Sequence, residues 1–474
     1  MNLDRALVTF HMKIHFIGIN GSGIIGVACI ANSRGFEISG CDINKHSSYS
    51  KQLEELGIDV KEGHNPDHIT NDVDLVVITP ALLYKDKWKE IPEIVKAFSE
   101  KKTITWQEFM GTYIMKDKGV VAVCGTHGKT SITTLTSLVF EKANCDPTCS
   151  IGGIVKEWGQ TYRIGKSDLY IIEADEYNGN FLKYFPKYVV FNNLEMEHPE
   201  FFKDFEDYKN MYSRFLHTIQ NDGAIFFNYD DENSIELIRK NLDSLKEKNV
   251  KLFAYTLDEN NQKSDFCEVN YIKTNHEDEI VLDGEALKIK NVFGEHNIKN
   301  IALVSLLANK LNVKNNVIQD VLNEFTGCGR RLDLVFSNDK VDLYDDYAHH
   351  HTQIKYCLEA LRKKYKNGEK IIAIWEPHLI SRFENNSSEY IKYLELADLP
   401  IVMKFFKSRE SFKEIPDMDK YFNNTDIQYI EDNGLILEKV KEFVDNASKK
   451  VIILVMGAGN SYKMTEELKS VLSK

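Results

Sequence analysis

The sequence has no cysteines at Cys-x-x-Cys spacing, no long uninterrupted apolar run and no surplus of basic residues. Its eight cysteines are scattered and several lie in apolar runs, so we expect reduced, buried thiols rather than disulfides or a zinc site. The first 20 residues lack the apolar segment of a signal peptide or membrane span, which makes a cytoplasmic location the default expectation. The net charge of -13 argues against a general affinity for nucleic acid, because that binding depends on basic surface.

Length and composition set the scale of the fold. A chain of 474 residues is too long for one core and favours two to four domains. Hydrophobic residues make up 43% and charged residues 28%, which is typical of globular proteins that work in water.

The most informative stretch is GVVAVCGTHGKTSITTL, at 119–135. An apolar run, Val120–Cys124, stops at a glycine-bounded turn, Gly125–Gly128, and predicts a buried strand followed by a helix that opens near Lys129. In a phosphate-binding loop, converging backbone amides and the helix N-terminus hold phosphate, Lys129 reaches the outer phosphates and Thr130 can ligate Mg²⁺. The general pattern requires another glycine at position 123, so GTHGKT is a shortened variant. An ordinary strand-to-helix turn with a solvated lysine is the competing interpretation.

Before this loop the sequence is typical of a Rossmann-like unit. A strand predicted over Lys13–Ile19 runs into a GxGxxG pattern that opens an apolar helix. A second strand, Phe36–Gly40, precedes Asp42, and a third is predicted over Asp74–Thr79. The glycines of the pattern are Gly21, Gly23 and Gly26. They could bind a diphosphate or serve helix packing alone.

Carboxylates follow two further predicted strands. LYIIEADE, at 169–176, ends in Glu173, Asp175 and Glu176, which would suit Mg²⁺ beside a phosphate loop or be a solvated strand end. A strand over Tyr188–Phe191 runs into NNLEMEH, which ends in His198. Because open α/β sheets bind ligands at the carboxyl ends of their strands, we favour a functional role for this histidine.

The C-terminal part again indicates alternating strands and helices. Between Asn210 and Asp320 helices and strands alternate, and GEHNIKN places Asn297 at the start of an amphipathic helix. Strands over Lys370–Trp375 and Lys450–Met456 end in WEPH and GAGNS. YDDYAHHHT has three adjacent histidines, but adjacent side chains point in different directions, so a metal site made of all three is disfavoured.

The motifs GTHGKT, EADE, NNLEMEH, GEHNIKN, GRRLD, DDYAHH and MGAGNS, in this order, resemble the Mur ligase family of ATP-dependent amide-forming enzymes of peptidoglycan assembly. The N-terminal IHFIGINGSGIIGVA, WEPHLISR and VMGAGNSYK are most similar to members that join L-alanine to UDP-N-acetylmuramate. The resemblance implies an α/β fold of three domains: a Rossmann-like UDP-sugar domain (1–118), a phosphate-loop ATPase domain (119–327) and a Rossmann-like amino-acid domain (328–474). It also implies an acyl phosphate made from the lactyl carboxylate and ATP, then attacked by the amine.

The resemblance further assigns roles to residues of this chain, with ATP and Mg²⁺ as cofactors. The catalytic set it implies is Lys129, Glu173 and His198, and the metal ligands are Thr130, Glu173 and His198. The ATP-binding set is Gly125, Thr126, His127, Gly128, Lys129, Thr130, Asn297, Arg331 and Asp346. The UDP-sugar set is Gly21, Ser22, Gly23, Asp42 and His127.

Some positions depart from the family pattern and leave alternatives open. His351 stands where the family usually has proline, and Leu379 where arginine is common, although Arg382 is retained. EADEY and NNLEMEH also resemble the recycling ligase that adds a ready-made tripeptide to the same UDP-sugar. A catalytically silent nucleotide-sugar binder on the same fold is the alternative from another class, and a NAD-dependent dehydrogenase would leave the phosphate loop unexplained. We expect a monomer or homodimer, with no nucleic-acid or membrane partner; the amine and any lysine carbamylation stay open.

Overall fold

The computed structural model describes residues 12–21, 23–45, 50–199, 201–275, 278–407, 410 and 414–473. Three parallel or mostly parallel sheets follow one another along the chain, each covered by helices, so the predicted three-domain α/β fold is confirmed. No helix in the described ranges has the length and apolarity that a membrane span requires.

The first sheet is a five-stranded parallel sheet in the order β3-β2-β1-β4-β5. Its strands are β1 (Lys13–Ile17), β2 (Glu37–Asp42), β3 (Asp59–Glu62), β4 (Leu75–Ile78) and β5 (Lys102–Thr105). Its helices are α1 (Ile24–Ser33), α2 (Lys51–Glu55), α3 (Pro92–Glu100) and α4 (Trp106–Phe109), with 3₁₀ turns at Pro66–His68 and Pro80–Glu90 and a π turn at Met110–Ile114. Cys41 and Asp42, expected just beyond the second strand, are its last two residues.

The second sheet has eight strands in the order β13-β12-β11-β10-β6-β9-β7-β8, with only β7 and β8 antiparallel to each other. Its strands are β6 (Gly119–Cys124), β7 (Thr148–Val155), β8 (Gln160–Arg163), β9 (Leu169–Glu173), β10 (Tyr188–Phe191), β11 (Ala224–Asn228), β12 (Lys251–Thr256) and β13 (Glu268–Tyr271). A small antiparallel sheet follows, of β14 (Lys273–Thr274), β15 (Glu279–Leu282) and β16 (Glu285–Lys288). The helices are α5 (Lys129–Lys142), α6 (Phe205–Leu216), α7 (Glu232–Lys240), α8 (Leu242–Glu247), α9 (Glu295–Lys310) and α10 (Asn315–Glu324), with a 3₁₀ segment at Tyr177–Lys183.

The third sheet has six strands in the order β17-β18-β22-β19-β20-β21, of which only β17 is antiparallel. Its strands are β17 (Asp333–Ser337), β18 (Val341–Asp346), β19 (Lys370–Trp375), β20 (Leu399–Val402), β21 (Gln428–Tyr429) and β22 (Val451–Met456). Its helices are α11 (His351–Lys364), α12 (Ile380–Asn385), α13 (Ser387–Leu394), α14 (Asp419–Phe422), α15 (Asn433–Asn446) and α16 (Ser461–Leu472).

The core explains why these strands are so apolar. β6 lies between β9 and β10, and its residues from Val120 to Cys124 are almost fully buried, as expected of a central parallel strand covered on both faces. One apolar cluster includes Phe16 of β1 and Phe191 of β10, so the first two sheets share a core. The carboxyl end of β6 therefore presents the following loop from a rigid base.

Candidate active site

The turn between β6 and α5 depends on its two glycines. Gly125 and Gly128 have φ values of +125° and +83°, which side chains disfavour. A Cβ on Gly128 would lie 2.7 Å from both Asn192 Nδ2 and Asn300 Oδ1. α5 opens at Lys129, as the sequence predicts. The turn is thus a tight loop at a helix N-terminus, where backbone amides favour an anion.

Lys129 is held at the base of this loop by a carboxylate. Its Nζ donates to the carbonyl oxygens of Gly125 (2.7 Å) and Thr126 (3.2 Å), and lies 3.0 Å from Glu176 Oε2. Glu176 is fully buried and also accepts from the Tyr208 hydroxyl at 3.1 Å. Burial alone would lower the pKa of Lys129, but the carboxylates around it, Glu176 above all, raise it, so the ammonium stays charged. The interpretation of a solvated lysine is wrong.

Thr130 and Glu173 form the oxygen-rich side of the loop. The Thr130 hydroxyl donates to Glu173 Oε1 at 3.1 Å, and the Gly152 amide donates to Oε2 at 2.8 Å. Arg331, from beyond the second sheet, lies 3.4 Å from the same hydroxyl. Burial raises the pKa of Glu173, against the opposing effects of the Gly152 amide and the nearby cations. A hydroxyl and a carboxylate are the hard oxygen donors that Mg²⁺ prefers, so these residues fit that ion.

His198 lies near the other side of Glu176. It has a φ of +56°, and its Nε2 is 4.0 Å from Glu176 Oε1. Ligand atoms of Asp175, Glu176 and His198 all lie within 4.8 Å of one another. Among the described residues, His198 therefore groups with Asp175 and Glu176, whereas Glu173 contacts Thr130 and the Gly152 amide.

The strand-end motif NNLEMEH folds against the phosphate loop. Thr126 Oγ1 donates to the Glu195 carbonyl at 2.8 Å and accepts from the Glu195 amide at 2.9 Å. The backbone amide of His127 donates to Asn193 Oδ1 at 2.8 Å, and Nε2 of the His127 ring lies 2.8 Å from Glu195 Oε2. Burial would raise the pKa of Glu195, but the hydrogen bonds from His127 and Thr352 and the electrostatic effect of the nearby histidines together lower it to about 2. Two loop residues are thereby fixed by one motif.

A cavity of about 310 Å³ opens beside the loop, between the second and third sheets. Among the residues proposed from the sequence for ATP, those that line it are His127, Gly128, Asn297, Arg331 and Asp346. Lys129, Thr130 and Glu173 are not among the lining residues, although Arg331, which lines the cavity, lies 3.4 Å from the Thr130 hydroxyl. The phosphate loop borders this cavity at one end, and residues of two domains line it. Such a shape suits an extended nucleotide.

The third domain reaches this cavity through a short segment before β17. Asp346, buried at the end of β18, accepts from the amides of Leu332 (2.6 Å) and Ala348 (2.7 Å), and burial raises its pKa. These bonds hold the segment in which Arg330 has a φ of +59°. Arg330 donates to the Gly457 carbonyl at 2.6 Å, so it braces the glycine-rich turn after β22, whereas Arg331 lies at the cavity.

The histidine triplet lies at the junction of the same domains. His350 caps α11, and burial lowers its pKa to about 4, so it is neutral near pH 7. His351 is the first residue of that helix. A backbone N–H at this position has no intrahelical partner, so a proline and a histidine fit the turn equally well. The departure from the family pattern is therefore compatible with the same helix start.

A buried ion pair joins the third domain to NNLEMEH. Arg382 of α12 donates to Glu197 Oε1, and both side chains are at most 5% exposed. Burial would raise the pKa of Glu197, but the Arg382 guanidinium and the nearby histidines together hold it well below its usual range. Thr352 adds a second link by donating to Glu195 Oε1 at 2.7 Å. Leu379, fully buried with a φ of +67°, opens α12.

The glycine-rich turn of the first sheet lies away from this cavity. Asp42 Oδ2 accepts from the Asn20 amide at 3.0 Å, and Gly21 donates to the Gly18 carbonyl at 3.2 Å. A Cβ on Gly23 would lie 3.1 Å from the Trp106 ring. Gly26 is packed against Tyr162 of the second sheet, so this glycine serves contact between the domains. Ser22 lies outside the described residues.

Sequence reasoning missed several residues that complete the site. The sequence did not predict that Glu176, expected in a carboxylate cluster for Mg²⁺, also pairs with Lys129. Asn192 donates to the His127 carbonyl at 2.9 Å, and Gln353 lies 3.2 Å from His127 Nδ1. The double asparagine that follows β10 was the signal for the first of these. Gln353 and Tyr356, one turn apart on α11, gave no signal, because polar residues on a surface helix are common.

Comparison with known proteins gives matches along the whole chain. The family models described as Mur ligase family catalytic domain, Mur ligase middle domain and Mur ligase glutamate ligase domain match residues 13–99, 123–308 and 330–459. A UDP-N-acetylmuramate–L-alanine ligase of Caldicellulosiruptor bescii is 34% identical, covering 95% of this chain and 97% of that protein. A protein of the same name from a Sulfurihydrogenibium species is 32% identical over 98% of each chain.

Solved structures share the fold. The crystal structure of a UDP-N-acetylmuramate-alanine ligase from Thermotoga maritima has a TM-score of 0.76 and 24% identity, covering 98% of this chain and 99% of that one. A murein peptide ligase from Psychrobacter arcticus has a TM-score of 0.72 and 21% identity, with the same coverage. At these identities the likeness concerns the three-domain architecture.

Proposed function

Because this chain belongs to the Mur ligase family, we propose that it joins L-alanine to the lactyl carboxylate of UDP-N-acetylmuramate, with ATP cleaved to ADP and phosphate. The observation that carries this proposal is the likeness, over 95% of the chain, to a relative named for that reaction. The phosphate loop and the cavity beside it supply a site in which ATP fits. The product would be an intermediate of peptidoglycan synthesis.

The first step is transfer of a phosphoryl group. A lactyl carboxylate oxygen attacks the γ-phosphorus, and the bond between that phosphorus and the β,γ-bridging oxygen breaks. The products are ADP, which departs, and an acyl phosphate. The loop amides and Lys129 neutralise the phosphate charge and align the reacting atoms, which is the main work asked of a protein in such a step. Glu176 holds Lys129 in place at the loop.

Thr130 and Glu173 would hold Mg²⁺, which when bound would neutralise the triphosphate. A second ion would have His198 as a ligand, beside Asp175 and Glu176. The Gly152 amide keeps Glu173 close to Thr130, and the positive charge of Arg331 acts on the same carboxylate. Glu173 and Arg331 can therefore offset the charge of a bound cation or phosphate at this part of the site.

The second step forms the amide. The neutral nitrogen of L-alanine attacks the acyl carbon, the carbon–oxygen bond to phosphate breaks, and the nitrogen loses a proton. Asn297 would contact the adenine, while Arg331 and Asp346 would reach the nucleotide from the third domain. We assign the UDP-sugar to residues 1–118, ATP to residues 119–327 and the amino acid to residues 328–474. The residues proposed for the UDP-sugar are Gly21, Ser22, Gly23, Asp42 and His127 of the phosphate loop.

The cysteines support a cytoplasmic setting for this reaction. All eight are free, and six are buried. Free thiols persist in a reducing compartment, where ATP is also available.

The test is phosphate release from ATP and Mg²⁺ with UDP-N-acetylmuramate, comparing L-alanine, glycine, L-serine and the L-Ala-γ-D-Glu-diamino acid tripeptide. We expect turnover that requires both the UDP-sugar and L-alanine, with a product whose mass equals their sum less water. Turnover with the tripeptide alone would instead identify the recycling ligase. Absence of turnover with every amine would identify a silent nucleotide-sugar binder.

A further inference from the structure

A cluster of metal-ligating side chains lies inside the first domain, in a different sheet from the phosphate loop. Parallel pairing places His15 opposite Ser39 and Ile17 opposite Cys41, so His15 and Cys41 are diagonal neighbours on one face of the sheet. Helix α3 and the 3₁₀ turn Pro66–His68 cover this face. The members of the cluster are His15, Cys41, His64, His68 and Glu93.

These side chains converge on the Glu93 carboxylate. Cys41 Sγ lies 3.1 Å from Glu93 Oε2, and His68 Nδ1 lies 2.9 Å from Glu93 Oε1. His15 Nε2 lies 3.4 Å from that same oxygen. Ligand atoms of these four residues all lie within 4.8 Å of one another. They come from β1, β2, the 3₁₀ turn and α3, so the cluster connects four elements.

His15 provides a second, independent sign of a ligand. It is 1% exposed, and its Nε2 points into the cluster without forming a hydrogen bond of acceptable geometry. Its Nδ1 lies 3.0 Å from Ser39 Oγ, which fixes the ring. A histidine in the centre of a parallel sheet is unfavourable unless both nitrogens are satisfied, and a metal ion would satisfy the one that is not.

We propose that His15, Cys41, His68 and Glu93 bind one divalent transition-metal ion of the zinc class. Two imidazole nitrogens, a thiolate and a carboxylate are ligands that Zn²⁺ accepts, and four protein ligands make a closed, structural site. The thiolate and carboxylate neutralise the ion's two charges, which suits a buried site. On binding, the S–H bond of Cys41 breaks, a sulfur–metal bond forms and the proton passes to solvent.

His64 and Ser39 support the ligands from outside. His64 Nδ1 lies 3.1 Å from Glu93 Oε2, so it can orient the carboxylate, as Ser39 orients the His15 ring. The carbonyl of Cys41 accepts from the amides of Gly18 (2.8 Å) and Ile19 (3.1 Å). The ion would thereby stiffen the start of the glycine-rich turn and hold α3 on the sheet.

The spacing rule for cysteines does not detect such a site. A lone cysteine carries no signal in the sequence, and the histidines are separated from it by whole strands and turns. Only the fold places them together, so the expectation of reduced, buried thiols outside any zinc site applies to the other buried cysteines.

The test is the metal content of the full-length protein, purified without chelator, by inductively coupled plasma mass spectrometry. We expect one zinc ion per chain, removed by a strong chelator with a fall in Tm that added Zn²⁺ reverses. Replacement by Co²⁺ should give a thiolate-to-cobalt charge-transfer band in the near ultraviolet. Cys41→Ser and His68→Gln should bind Co²⁺ at least about tenfold more weakly.

Cys29→Ala is the matched control, because Cys29 is buried in the same domain but in the apolar cluster on the opposite face of the sheet. It should keep full metal content and the cobalt band. A wild-type chain that neither contains nor takes up Zn²⁺ or Co²⁺ would overturn the proposal, as would a cobalt spectrum without the thiolate band. The wild-type spectrum decides the matter even where a variant fails to fold.

Discussion

Replacing Lys129 by methionine separates the catalytic part of the loop from its structural part. The change keeps most of the side-chain volume but removes the lysine partner of the buried Glu176 carboxylate, leaving the Tyr208 hydroxyl at 3.1 Å and His198 Nε2 at 4.0 Å. Removing one partner of a buried ion pair typically costs about 3 to 5 kcal/mol, because the remaining charge stays desolvated. At about 2–4 °C per kcal/mol for a domain of this size, Tm should fall by roughly 6 °C or more.

The companion variant is Lys129→Met with Glu176→Gln. It removes both charges, and replacing a buried pair by neutral groups of similar volume is often close to neutral in stability. We therefore expect the double variant to regain most of the lost Tm. Both variants should lose phosphate release by about 100-fold or more, because neither can neutralise the transferring phosphoryl group.

The single variant Glu176→Gln completes a double-mutant cycle for the Lys129–Glu176 pair. It should lower Tm by a similar amount, since Lys129 then lacks its partner, but the amine remains, so phosphate release should fall less than in Lys129→Met. The assays are thermal unfolding and coupled phosphate release, with UDP-N-acetylmuramate binding by calorimetry as the control. Binding of the UDP-sugar should persist in every folded variant. A double variant no more stable than Lys129→Met, or normal phosphate release from it, would refute the reasoning.

Three further variants test single features of the site. Gly128→Ala should weaken ATP binding and lower Tm more than the control Gly159→Ala. Both glycines have a positive φ, but of the two only Gly128 would bring an added Cβ within 4 Å of side chains. Equal effects of the two variants in both assays would contradict this. Burial holds the pKa of His350 at about 4 in the folded chain, whereas it is about 6.5 in the unfolded chain. The stability that the neutral His350 contributes is present above about pH 6.5 and is lost as the unfolded chain takes up a proton between about pH 6.5 and 4. In urea titrations over that range, the free energy of unfolding of His350→Gln should therefore fall by about 3 kcal/mol less than that of the wild type. Asn297→Ala should raise the Kd for ATP by about tenfold and leave that for the UDP-sugar unchanged, and an unaltered ATP affinity would remove the proposed adenine contact.

The sequence was most informative where a short apolar run met a glycine or a polar cluster. The strands over Tyr188–Phe191 and Lys370–Trp375 agree with prediction at both ends, and α5 opens at Lys129. Parallel strands buried on both faces must be apolar along their length, and glycine or polar residues must follow them. These local requirements leave a clear pattern in one sequence.

Pairings between distant carboxylates and cations were not predictable in the same way. Glu176 and Glu173 lie in one motif and have the same chemistry, yet one binds Lys129 and the other Thr130. Which carboxylate faces which side of the loop depends on how β9 continues into the 3₁₀ segment at Tyr177–Lys183. The choice is made by the three-dimensional path of the chain, and residue type alone does not encode it.

The distribution of apolar contacts also decides which domain can move. The first two sheets share one buried apolar cluster, whereas within the described residues the buried members of the third domain's clusters all lie at or beyond Leu332, with the half-buried Phe293 of the second domain packed against one of them. The described polar links from the third domain to the phosphate loop and NNLEMEH include Thr352 to Glu195 and the ion pair of Arg382 with Glu197. Apolar burial is lost whenever a domain separates, but hydrogen bonds can be exchanged with water at small net cost. We therefore expect the first two domains to move as one body and the third to swing, with hydration of the Arg382–Glu197 pair accompanying each opening of the cavity.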